Sequence, residues 1–184
     1  MSPSAETELR VQPVDAATWQ ARSAEVVDLL ADAIEDNASL GFLMPPEPAR
    51  IRRDWLDPVA ASLAEGRHLA WLADDARGLA GLVLLELATK QNAPHRAEVQ
   101  KLIVHRRCRR LGVGARLMAA LEARALSLGR FLLLLDTDAG AGSVPFYRGL
   151  GWQDVGVIPA HALRPDGALE GTRLFYKDLR EPAA

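Results

Sequence analysis

The chain has 184 residues, enough for one domain with a proper buried core. Hydrophobic residues make up 49% and charged residues 25%, the proportions of a globular protein rather than a disordered or fibrous one. A formal net charge of -2 offers nucleic acid no overall attraction, and the lone Cys108 excludes an intrachain disulfide. No apolar run approaches the roughly 20 residues that span a bilayer, and MSPSAETELR lacks the apolar stretch of a secretory signal. A cytoplasmic protein with no membrane and no nucleic-acid partner is expected.

In chain order, residues 1–7 and 181–184 read as tails around a single domain over 8–180. ELRVQPV, Glu8 to Val14, alternates polar and apolar residues and predicts a first strand. Asp15 or Thr18 is placed to cap a helix, along which Trp19, Val26, Leu30 and Ile34 recur at helical spacing until about Asn37. NASLGFLMPPEP is a loop punctuated by Gly41, Pro45, Pro46 and Pro48. A second helix is expected over 49–65, with Ile51, Trp55, Val59 and Leu63 inward and Gly66 as its stop. HLAWLADD and LAGLVLLELATK then form a hairpin about ARG. RAEVQKLIV, Arg96 to Val104, is the next strand, and a helix over 113–128 buries Val113, Leu117, Leu121, Ala125 and Leu128. RFLLLLDTD is nearly all apolar, as suits a strand covered on both faces. SVPFYRGLG reads as a short helix, and WQDVGVIPA and GTRLFYKDL as two closing strands. The order β-α-α-β-β-β-α-β-α-β-β describes an α/β fold with a mixed sheet covered by helices. Arg96 to Thr137 should form a right-handed parallel crossover.

Between the fourth strand and the long helix stands RRCRRLGVGAR, with Arg106, Arg107, Arg109 and Arg110 ahead of Gly112 and Gly114. A Rossmann fingerprint needs a third glycine where Leu117 stands, and a Walker loop needs Gly-Lys-Ser/Thr; both are absent. The first turn of a helix still presents unpaired N–H groups at a positive dipole end, and glycines let an anion approach the backbone closely. A solvated turn leading into a core helix fits the same spacing.

The stretch AEVQKLIVHRRCRRLGVGARLMAALEARA resembles the signature of the GNAT superfamily of N-acetyltransferases, Arg/Gln-x-x-Gly-x-Gly/Ala between a strand and a helix, met here by Arg109, Gly112 and Gly114. PFYRGLGWQDVG is similar to that family's second signature, and HRAEVQKL, LLLDTDAGAGSVPFY and PDG are more narrowly similar to tabtoxin-resistance acetyltransferases. The resemblance implies the GNAT acyl-CoA N-acyltransferase fold, with parallel strands 4 and 5 splayed, acetyl-CoA as cosubstrate, and an amine as acceptor. It implies that the diphosphate sits on Arg109, Arg110, Leu111, Gly112, Val113, Gly114 and Ala115. It also implies that the pantetheine arm pairs with Leu102, Ile103 and Val104. Many relatives have an asparagine where Gly140 stands, so that contact is expected to be lost or made by Ser143.

An alkylamine is mostly protonated at neutral pH and must lose a proton before attack. Glu98 is the candidate base, on the segment where histone-type relatives keep their glutamate, sharing one strand face with Gln100, Leu102 and Val104. A surface carboxylate paired with Lys101 or an arginine is the alternative reading. Asp136 ends an apolar run where α/β proteins build sites; it is a candidate second base or ammonium anchor, or else a turn aspartate. The resemblance makes Tyr147 the general acid for the departing thiolate and a cofactor contact. Cys108 among arginines could have a lowered pKa, but no partner is placed for it, and the family transfers the acetyl group directly. His68, His95, His105 and His161 lack ligand spacing, so no metal is expected.

Acceptor residues are expected in the apolar loop, at Phe42 and Leu43, at Trp55, and in the final hairpin. These suit a small, partly apolar primary amine, with an amino-acid-like or β-lactam-like compound implied by the tabtoxin likeness. A protein N-acetyltransferase and a non-catalytic acyl-CoA sensor remain the rivals, and either a monomer or a homodimer is compatible with the sequence.

Overall fold

A computed structural model describes residues 9–140 and 142–180; the expected tails and the start of the first strand at Glu8 lie outside the described residues. Strand β1 (Arg10–Val14) is followed by α1 (Ala16–Ala21) and α2 (Ser23–Glu35). The Asp15 carboxylate caps α1, accepting from the Thr18 N–H at 2.7 Å. The single first helix expected from the apolar spacing is thus two helices. They part at Arg22, whose guanidinium bonds Glu25 and Asp74 at 2.6 Å each.

The second helical stretch comprises α3 (Pro48–Ile51), a π-helical turn (Arg52–Leu56) and α4 (Asp57–Ala64). The wider π turn brings the adjacent Trp55 and Leu56 into the core together, which a uniform 3.6-residue spacing does not anticipate. There follow β2 (His68–Asp75), β3 (Gly78–Leu87), β4 (Arg96–Val104), α5 (Val113–Ser127), β5 (Leu132–Asp138), α6 (Ser143–Gly149), β6 (Gln153–Leu163) and β7 (Leu169–Asp178).

The strands form one seven-stranded sheet in the order β1-β2-β3-β4-β5-β7-β6. One apolar cluster lies between the sheet and α1, α2 and α4, around Trp19, Leu30, Ile34, Leu56 and Leu84. The other lies beneath α5 and α6, around Leu117, Leu121, Leu133, Tyr147 and Phe175. This is the mixed α/β architecture the element order predicts.

The feature that creates a site is an early end to one ladder. Parallel β4 and β5 pair only from Arg96↔Leu132 to Glu98↔Leu134. Beyond Glu98, β4 stays bonded to β3 on its other side, but its register slips between Leu82 and Leu84. Lys101 there takes a left-handed φ of 51°. One extra residue in β4 is a bulge, which bends the strand away from β5 and leaves its β5-facing edge unpaired. The bulge also inverts the strand. Ala97 and Val99 pack under α5 before it, and Leu102 and Val104 after it, while Ile103 turns to the α2 side. The expected common face of Glu98, Gln100, Leu102 and Val104 is therefore broken: the strict two-residue alternation on which it rested does not survive an inserted residue.

Candidate active site

The glycine loop ends at the N-terminus of α5, with Gly112 as the residue before the helix at φ 78°. A side chain at 112 would meet nothing within 4 Å, so glycine is required there by backbone conformation rather than by space. Arg110 also adopts a left-handed φ of 61°. The Arg116 N–H closes onto the Gly112 carbonyl at 3.1 Å. The N–H groups of Val113, Gly114 and Ala115 therefore precede the first helical bond and have no carbonyl within the helix to pair with. At Gly114, a Cβ would stand 3.2 Å from Phe146 Cζ, so α5 and α6 approach each other closely at this point. The donors suit an anion, and the unpaired β4 edge suits an extended, amide-bearing chain.

The arginines divide the work unevenly. Arg106 binds Asp32 at 2.7 Å and Glu35 at 3.2 Å, and Arg109 pairs with Asp36, all on or beside the last turn of α2. Arg107 pairs with Asp75 and donates to the Leu79 carbonyl at 3.0 Å. These three anchor the loop to neighbouring elements. Arg110 is exposed and, among the described residues, has no ion pair, and the same holds for Arg116 on the first turns of α5. Cys108 is buried and bonded to Asp75 at 3.3 Å. Burial first, and then that carboxylate, push its thiol up, opposite to the lowering its arginine neighbours suggest.

Where β4 and β5 part, a cavity of about 360 Å³ opens. Its walls include Glu98, Lys101 and Leu102 from β4, Asp136 and Asp138 from β5, and Tyr147 from α6. Ser39, Leu40 and Gly41 close one side, and His161, Ala162 and Thr172 another. The loop after α2 and the β6–β7 hairpin are fastened together. Asn37 Nδ2 donates to Asp166 at 2.8 Å, and the Met44 N–H donates to the Pro165 carbonyl at 3.0 Å.

Glu98 keeps solvent access at the cavity rim. Partial desolvation, and then the like charges of Asp136 and Glu86, push its carboxyl above the usual carboxylate range. It is in no ion pair with Lys101 or an arginine among the described residues. Tyr147 is buried against Phe175, Trp152 and Phe146. Desolvation and the Asp136 charge hold its phenol protonated well above neutral pH. Desolvation pulls the Lys101 ammonium down, against the attraction of Asp136.

Of the residues read from the sequence, the fold gathers Glu98, Asp136, Tyr147 and Leu102 about this cavity. Ile103 instead points into the first core, and Ser143 Oγ is hydrogen-bonded to Thr137 Oγ1 at 2.9 Å. Trp55 does not reach the cavity: it is 8% exposed and packs edge-on against Trp19, 5.6 Å between ring centroids. Phe42 packs against that same core and Leu43 is exposed to solvent, neither lining the cavity. Their loop contributes Ser39, Leu40 and Gly41 instead.

A partly buried polar row behind Glu98 has no evident sequence signature. Ser62 Oγ bonds His68 Nδ1 at 2.5 Å, His68 Nε2 meets Gln100 Oε1 at 3.4 Å, and Gln100 Nε2 donates to Glu86 at 2.7 Å. His68, Glu86 and Glu98 are register partners across β2, β3 and β4. A helix serine facing a strand histidine at spacing six was the only available hint. Among the described residues, no group of three or more His, Cys, Asp or Glu is placed to hold a metal, and no helix is long and apolar enough to cross a membrane.

Comparison with known proteins agrees with this geometry. Residues 27–152 match the Acetyltransferase (GNAT) family. The fold is shared with a protein of Acinetobacter baylyi classed as an acetyltransferase (TM-score 0.78, 18% identity, 98% of this chain and 97% of that one). It is also shared with the ribosomal-protein-alanine N-acetyltransferase of Brucella melitensis (0.74, 19%, 92% and 99%). A Salmonella typhimurium protein, classed as an acetyltransferase and solved with its cofactor acetyl-CoA, gives 0.74 at 15% identity over 96% of each chain. Identities this low establish the fold alone, whereas the family match spans most of the chain: the protein belongs to the GNAT acetyltransferase family.

Proposed function

From that membership, we propose that the protein transfers the acetyl group of acetyl-CoA directly to the primary amine of a small molecule. The observation that carries this reading is the meeting of Glu98, Asp136 and Tyr147 in one cavity, at the point where β4 leaves β5.

Acetyl-CoA, when bound, supplies an electrophilic thioester carbonyl. The N–H groups of Val113, Gly114 and Ala115 would hold its diphosphate, with Arg110 and Arg116 as nearby cations free to approach phosphate. The unpaired edge of β4 at Leu102 to Val104 would align the pantetheine arm, and a backbone N–H there would stabilise negative charge developing on the carbonyl oxygen. Glu98 takes a proton from the ammonium, directly or through a water. Its raised pKa suits this, since the carboxylate is more basic than an exposed one. Asp136 faces the same space and would hold the ammonium until it is deprotonated. The amine nitrogen then bonds to the carbonyl carbon, the C–S bond breaks and Tyr147 Oη delivers a proton to the leaving sulfur, while the nitrogen loses its second proton through water, which returns one to the phenolate. Orienting the two reactants accounts for much of the remaining acceleration.

The small, walled cavity favours a small acceptor over a polypeptide, which would need an open groove. The likeness to tabtoxin-resistance enzymes supports an amino-acid-like compound. Acetyl-CoA-dependent thiol release across a panel of primary amines tests the reading. Release with at least one small amine is expected. Tight acetyl-CoA binding with no release for any amine would leave only the sensor reading, and release with peptides alone would leave the protein-directed one.

A further inference from the structure

We infer that the acceptor is zwitterionic, an amine that also carries an acid group such as a carboxylate, with Lys101 as the residue that binds that group. This rests on the acetyl-transfer reading above and narrows its substrate class.

The cavity presents opposite charges that make no contact ion pair with each other. Glu98, Asp136 and Asp138 line it on the acidic side, and Lys101 is the cation of its β4 wall. The Asp138 carboxylate is partly engaged by the Gly140 N–H at 2.8 Å. Among the described residues Lys101, Glu98 and Asp136 are in no ion pair, although ion pairs form freely elsewhere in this molecule. His161 is the other titratable group at the rim, and its Nδ1 is bonded to Thr172 Oγ1 at 2.9 Å.

A partly desolvated ammonium whose nearest attraction, Asp136, makes no contact ion pair with it is costly, and an anionic guest in direct contact lowers that cost. A simple alkylamine or a polyamine would satisfy the carboxylates and leave Lys101 repelled. An amino acid satisfies both sides at once, its ammonium toward Glu98 and Asp136 and its carboxylate toward Lys101. The volume of about 360 Å³ accommodates a compound of that size. The placement of Lys101 follows from the β4 bulge. Its left-handed φ of 51° sits at the inserted residue, where the strand turns from one core to the other. The distortion that opens the cleft therefore also puts a lysine on its wall.

The test compares amino acids with the amines they become on decarboxylation, L-phenylalanine with 2-phenylethylamine and L-leucine with 3-methylbutylamine among the pairs, by thiol release from acetyl-CoA. The acid-bearing member should be preferred about tenfold or more in kcat/KM, the scale of one charge-assisted contact. In Lys101→Met that preference should fall toward unity through KM for the amino acid, and Lys101→Arg should recover part of it. Acetyl-CoA affinity, measured by calorimetry, reports whether each variant keeps its fold. Equal or better use of the decarboxylated members by the wild type overturns the inference, as does a preference unchanged in Lys101→Met. No release with any member, acetyl-CoA still binding, would instead sink the acetyl-transfer reading on which it rests.

Discussion

The seat at the start of α5 and the cavity between β4 and β5 are built by opposite means. The seat is local and made of backbone: it occupies a few consecutive residues, and its donors are main-chain N–H groups that every residue but proline carries. Its glycines are constrained there, Gly112 by a φ of 78° and Gly114 by Phe146 at 3.2 Å. The cavity is assembled from side chains on the α2–α3 loop, β4, β5, α6, β6 and β7. The contrast teaches why one donor can be kept while acceptors change. Replacing a cavity side chain alters the guest and leaves the backbone cradle intact. Fold likeness alone therefore does not transfer substrate identity.

Substitutions can push the two regions apart. The largest effect is expected at Glu98. Glu98→Gln should lower kcat by about 10²–10⁴-fold, the usual worth of a general base, with acetyl-CoA affinity unchanged in calorimetry. Gly112→Asp attacks the other region: it places an L side chain at a left-handed φ and a negative charge at an anion site. It should weaken acetyl-CoA binding about tenfold or more in the same measurement. If affinity survives that change, the seat lies elsewhere. Smallest is Tyr147→Phe, since a thiol with a pKa of about 8.5 leaves without a fully delivered proton. A fall in kcat of about tenfold or less is expected, with no loss of melting temperature, because the phenyl ring keeps its contacts with Phe175 and Trp152.

The same contrast explains what could be read from the chain. The order of elements was legible because apolar periodicity reports burial directly, and β2 and β4 fall where HLAWLADD and RAEVQKLIV predict them. The glycine loop was legible because it is short and local. Three features were hidden because each arises from tertiary pairing. Arg106 and Arg109 meet acids on or beside α2 more than 70 residues earlier, so their role as anchors could not be told from that of phosphate ligands. The bulge at Lys101 depends on β3 running beside β4, and nothing in VQKLIV announces it. Trp55 fitted either a pocket or a core by pattern, and only the π turn and Trp19 decide for the core.

In the proposed mechanism Glu98, in the cleft where β4 leaves β5, takes the proton from the substrate ammonium. The most direct measurement is the pH dependence of kcat/KM for wild type and Glu98→Gln, with whichever amine releases most thiol. The ionised carboxylate is the active form, so wild-type activity should fall as pH drops through a value above the ordinary carboxylate pKa of about 4.3. It should then stay level until the amine itself loses its proton near pH 10. Glu98→Gln, which must wait for amine already deprotonated in solution, should climb about tenfold per pH unit across that whole span. Parallel profiles for the two enzymes would contradict the assignment.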